Sequence, residues 1–134
     1  MSRVRWHAPV LAVIAAGGML GSLARCGAGL LAGETAWPWP ILLVNTSGCL
    51  LIGVLMAVLL DLTAPHRLLR PFLGIGVLGG YTTFSTYAVD VQRLVVSGRE
   101  VAALAYVLVT PVLALVAVWV GTVLSRSVRG RGRA

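Results

Sequence analysis

The chain has 134 residues, is 58% hydrophobic and 11% charged, and carries a formal net charge of +7. Soluble domains carry about 25% charged residues, so the composition excludes a water-soluble globular class and leaves an integral membrane protein. Apolar stretches at roughly 8–31, 40–60, 70–96 and 101–124 can each hold a span of about 20 residues. The expected fold is an all-α membrane protein, a single four-helix transmembrane domain over 1–134, with the third helix broken near its centre.

The first stretch begins with Pro9, tolerated in a first helical turn whose N–H groups are unpaired anyway. It lacks a small-residue cleavage site followed by a soluble domain, so it reads as a retained helix rather than a signal peptide. Gly17, Gly18, Gly21, Ala24, Gly27 and Ala28 place small residues at three- and four-residue spacings, a face on which another helix can approach closely. Arg25 lies toward the end of the stretch. A charge there either snorkels to the interface or faces an aqueous cavity, where it would attract anions into a vestibule.

Trp37-Pro38-Trp39-Pro40 then puts two indoles at a boundary where amphipathic rings favour the headgroup layer. The polar part of the second stretch is Asn45-Thr46-Ser47. A buried Asn45 can join helices, the favoured reading on its residues alone, or its amide can donate to an anion that has lost water. Asp61 closes this helix before a short turn at 63–67. His66 beside Arg67, and His7 near the N-terminus, have no companions suggesting metal binding or acid–base work. Cys26 and Cys49 lie in separate stretches without paired spacing and read as packing residues rather than a disulfide or zinc site.

The third stretch contains Gly79-Gly80-Tyr81-Thr82-Thr83-Phe84-Ser85-Thr86-Tyr87, two glycines, four hydroxyls of Ser and Thr and three aromatics in nine residues. Adjacent glycines weaken a helix and β-branched threonines do not repair it. In lipid a broken helix survives only where protein or a water-filled cavity satisfies the freed peptide groups. Unwinding is therefore expected near Gly79 and Gly80, freeing carbonyl oxygens suited to a small alkali cation. Phe84 and Tyr87 share one helical face. Their electropositive ring edges, with the Ser85 and Thr86 hydroxyls, suit an anion; plain packing with hydroxyls bonded back to the helix is the competing reading. Asp90 lies near the end of the stretch, where it could bind Arg or gate ion passage. In the last stretch Tyr106 and Thr110 are one turn apart, and Pro111 removes a helix hydrogen bond.

The Arg-bearing small-residue first helix, Asn-Thr-x-Gly at 45–48 and Gly-Gly-x-Thr-Thr-Phe-Ser-Thr-aromatic at 79–87 resemble the Fluc/CrcB fluoride channel family over nearly the whole chain. The resemblance implies an antiparallel dimer with two fluoride pores and a structural Na+ at its centre, held by the backbone carbonyls of Gly79 and Thr82. It implies a fluoride pore lined by Asn45, Phe84, Ser85, Thr86, Tyr87, Tyr106 and Thr110, with Arg25 in the vestibule. Tyr87 stands where the family usually has phenylalanine, and Ala114 where it often has a hydroxyl.

Four spans put both termini on one side, together with eight of the eleven arginines; Arg25, Arg93 and Arg99 fall on the other. The positive-inside rule then favours cytoplasmic termini in a multi-pass inner (plasma) membrane protein. The arginine tail 126–133 reads as an anchor beside anionic lipid rather than a nucleic-acid site. An antiparallel homodimer is slightly favoured over a heterodimer with a homologous chain, to which the charge bias also points. The expected function is passive export of fluoride from the cytoplasm, not an enzymatic one. The alternatives are a proton-coupled small multidrug transporter, which needs a membrane-embedded carboxylate, and a non-transporting scaffold.

Overall fold

The computed structural model describes residues 3–33, 35–61 and 66–131, with side chains over 8–33, 35–59 and 66–127. Among the described residues the protein is all-helical. Helix α1 (Arg3–Ala32) is followed by α2 (Trp39–Asp61). A π-helical stretch, Pro71–Leu78, runs directly into one α-turn, α3 (Gly79–Tyr81). Thr82 is extended (φ −74°, ψ 154°), and the helix resumes as α4 (Ser85–Val96). The last helix is α5 (Glu100–Arg131).

Among the described residues, three helical segments are long and apolar enough to cross a membrane: Ala8–Ala32, Trp39–Leu59 and Glu100–Ser127. The pieces on either side of Thr82–Phe84 are each shorter than the about 20 residues a crossing needs. Many large apolar side chains point outward, Leu23, Leu30, Leu115 and Trp119 among them. In water that surface would be prohibitive; against lipid tails it is ordinary.

Helix α2 packs on α5, α1 packs on the π-helical stretch and α3, and α4 leans on α5. Both close contacts run through glycine. A Cβ on Gly53 would strike the Val118 carbonyl, and one on Gly121 the Leu50 carbonyl. Across the other seam, a Cβ on Gly21 would strike the Val77 carbonyl. Close backbone approach replaces the hydrophobic drive that lipid does not supply. Gly53→Val is accordingly expected to lower stability by at least about 2 kcal/mol, the scale of overpacking a tight contact, read as a fall in melting temperature of the purified protein in detergent.

Helix α4 ends in a Schellman turn: Gly98 takes φ +71°, its N–H bonds the Val95 carbonyl, and the Arg99 N–H bonds the Leu94 carbonyl. The turn sends the chain into α5, and the Arg99 side chain donates to the Ala36 carbonyl in the α1–α2 connection. The core gathers around Tyr106, which is fully buried with Leu42, Leu94 and Ala103. Trp37 belongs to this core, its ring T-shaped to Tyr106 at 5.7 Å, while Trp39 is 53% exposed. Of these two indoles, Trp37 packs against the core through Tyr106 and Trp39 is the more open.

Candidate functional site

The interruption at Thr82–Phe84 is made by side chains that outcompete the helix. Asn45 Nδ2 donates to the Thr83 carbonyl at 2.9 Å, and Asn45 Oδ1 accepts the Thr83 N–H at 2.8 Å. The Thr83 hydroxyl accepts the Thr86 N–H at 3.2 Å, capping the start of α4. Ser and Thr hydroxyls offer this local alternative to helical pairing. Gly79 and Gly80 are themselves helical, Gly79 with φ −67° and ψ −33°, and the chain leaves the helix at Thr82. The role of Gly80 is steric, since a Cβ there would strike the Gly18 backbone, whereas Gly79 has room for one. The break therefore falls three residues later than the glycines suggest.

The turn that ends at the break is tied down from other sides. Arg25 Nε and the Ser22 hydroxyl donate to the Gly80 carbonyl at 3.3 Å and 3.4 Å. Ser47 and Tyr81 share a hydroxyl–hydroxyl bond of 3.1 Å. The Thr82 hydroxyl donates back to the Leu78 carbonyl at 2.9 Å. Arg25 thus has its Nε on the backbone beside the break.

Beside the interruption is a cavity of about 650 Å³ lined by Asn45, Gly79, Thr82, Phe84, Tyr87 and Thr110, with Cys49, Thr83, Val107, Pro111 and Ala114. The Phe84 and Tyr87 rings lie 5.6 Å apart at 46°, and Phe84 is 80% exposed. A second cavity of about 510 Å³ opens between the 35–41 connection and the α4–α5 turn, where Thr86, Asp90, Arg93 and Arg99 line it. Ser85 is exposed and lines neither, its hydroxyl 3.2 Å from that of Thr83.

Between the cavities lies a row of polar atoms with no protein partner. Thr110 Oγ1, Tyr106 OH and Asp90 Oδ2 are buried and make no hydrogen bond. The Tyr106 hydroxyl lies within reach of both Asp90 and Thr110, so these three groups face one another. The other Asp90 oxygen is 3.9 Å from Arg93. Sequence reading placed Tyr106 and Thr110 on one side but left Asp90 at the margin and passed over Thr83. Both carried signals: Asp90 is three residues past Tyr87, and Thr83 is the hydroxyl three before the capped Thr86 N–H.

The family model described as "CrcB-like protein, Camphor Resistance (CrcB)" matches residues 12–122. The chain belongs to the CrcB family. It is 49% identical over 131 residues, 95% of this chain and 85% of the relative, to "Fluoride-specific ion channel FluC 1" of Streptomyces coelicolor. It is 53% identical over 112 residues, 81% of this chain and 71% of the relative, to "Fluoride-specific ion channel FluC 2" of Streptomyces avermitilis. A more distant match, 45% over 115 residues, is the "Fluoride-specific ion channel FluC" of Paracoccus denitrificans, covering 84% of this chain and 91% of that one. These CrcB relatives are channels by name rather than enzymes, and with its three long apolar helices this CrcB chain is a multi-pass plasma-membrane protein.

Proposed function

We propose that this CrcB chain is the subunit of a fluoride-selective channel that lets fluoride leave the cytoplasm passively through an antiparallel dimer. The observation that carries this reading is the unpartnered row of Thr110, Tyr106 and Asp90 between two cavities. Two hydroxyls and a carboxyl set side by side in an apolar helix bundle make a polar track from one cavity to the other, the kind of lining a permeating ion needs in place of water. The Thr110 and Tyr106 hydroxyls, the Thr86 hydroxyl and the second Asn45 N–H are donors to an anion that has shed water. The Phe84 and Tyr87 ring edges add positive quadrupole at the mouth, and Arg93 offsets the Asp90 charge at the far end.

Residues 71–96 form the fourth crossing in this reading, as two half-helices joined across Thr82–Phe84. Asn45 and the cavity meet the needs of the freed peptide groups there, as lipid requires. Phe84, exposed in a single copy, is covered by the second copy of a homodimer. Gly79 and Thr82 fit a central Na+. The Thr83 N–H goes to Asn45 and the Thr86 N–H to Thr83 Oγ1, so the Gly79 and Thr82 carbonyls lose the donors a continued helix would bring. Both residues line the larger cavity, and carbonyl oxygens are hard ligands suited to sodium. When bound, the ion supplies positive charge and pins the interrupted segments of the two copies together.

Liposomes carrying the purified protein and loaded with fluoride and chloride test this directly. Fluoride is expected to leave while chloride stays. Substrate-coupled proton movement would instead mark a multidrug transporter, and no flux from a folded dimer would mark a scaffold.

A further inference from the structure

Pro111 lies inside α5 and has no N–H, so the carbonyl four residues earlier, that of Val107, receives no helical hydrogen bond. The Tyr87 hydroxyl donates to that carbonyl at 3.2 Å, from α4 across to α5. Tyr87, Val107 and Pro111 all line the 650 Å³ cavity, so the bond is made at its wall. A bare carbonyl there would point the negative end of its dipole into a poorly screened space, against the passage of an anion.

We propose that Tyr87 is a positioning residue for anion passage: its hydroxyl covers the carbonyl that Pro111 leaves bare and thereby fixes the ring beside Phe84. The inference rests on the channel reading above. The ring is held at both ends, with Tyr106 at 5.3 Å, Phe84 at 5.6 Å and the hydroxyl tied to Val107. Its edge is then presented in one orientation, and an orientation fixed before the ion arrives needs no rearrangement as it passes. The tyrosine and the proline act as a pair: with an ordinary residue at 111, the backbone N–H would take the Val107 carbonyl, and the hydroxyl at 87 would have nothing to cover.

Single-channel fluoride currents in planar bilayers test the pairing, because unitary conductance counts only assembled, conducting channels. A purely structural role would change yield or melting temperature and leave it untouched. Tyr87→Phe is expected to lower unitary fluoride conductance about tenfold, the effect of one lost hydrogen bond. In a Pro111→Ala background, where residue 111 donates its own N–H, the same replacement is expected to change conductance by less than about twofold relative to Pro111→Ala alone. Should Pro111→Ala not assemble, Pro111→Ser supplies the same N–H. Undiminished conductance in Tyr87→Phe, or equal losses in both backgrounds, overturns the inference while leaving the channel reading in place. A wild-type protein without fluoride current overturns both.

Discussion

Replacing Phe84 by isoleucine is expected to abolish fluoride efflux from liposomes while leaving the protein folded. Phe84 is 80% exposed in the single chain and touches mainly the Tyr87 ring, 5.6 Å away. Substitutions at such positions usually change stability by no more than about 0.5 kcal/mol. Isoleucine keeps the apolar bulk that a second copy would bury but has no ring, and so no electropositive edge. Packing and permeation therefore separate at this residue. Efflux and melting temperature, measured on one preparation, decide between them: full efflux from Phe84→Ile would make the residue a packing group and remove the rings from the path.

The second large effect is expected at Asn45. Asn45→Asp keeps an oxygen to accept the Thr83 N–H but loses the Nδ2 donor to the Thr83 carbonyl, and places a carboxylate 2.9 Å from that oxygen. It also sets a negative charge on the wall of the cavity an anion must cross. A charge at membrane depth costs about 2.5–3.5 kcal/mol, and about 1.4 kcal/mol is a factor of ten, so fluoride efflux is expected to fall between about sixtyfold and about three-hundredfold. Asn45→Leu separates the two causes. It breaks the clasp on Thr83 without adding charge, so it is expected to lower melting temperature more than Asn45→Asp lowers it at acid pH, where the carboxyl is neutral and can donate. Equal flux from wild type and Asn45→Asp would leave Asn45 as helix-joining glue alone.

Both expectations depend on which parts of this molecule are local and which are not. Membrane residence follows directly from apolar stretches long enough to span, because a helix of about 20 apolar residues pairs its own peptide groups while crossing the lipid. Residues 79–87 raise the expectation of an interruption in the third segment without fixing where the chain leaves the helix. Gly79 and Gly80 carry the lowest helix propensity there, yet both stay helical. The interruption falls at Thr82–Phe84 because Asn45, thirty-eight residues earlier than Thr83, takes both of that residue's peptide groups. Propensity is worth about 1 kcal/mol per glycine, and two hydrogen bonds from another helix outweigh it.

The candidate site divides along the same line. Phe84 beside Tyr87 follows from a three-residue spacing, Phe84 standing at the N-terminal edge of α4. Arg25 could not be placed from its position alone, and it is contact between α1 and α3 that turns its Nε onto the Gly80 carbonyl. Trp37 likewise carries an interfacial composition but is drawn into the core by the ring of Tyr106.

By itself, then, the amino-acid order determines an all-helical membrane protein of the CrcB family and the chemical kinds of group that could meet an anion, since hydropathy, spacing and motif are properties of neighbours along the chain. Tertiary structure alone decided that Thr110, Tyr106 and Asp90 form one unpartnered row between two cavities, and that the Tyr87 hydroxyl answers the proline of another helix. The reason is physical: a hydrogen bond depends on distances of about 3 Å, and separation in sequence says nothing of which distant groups will meet at that range.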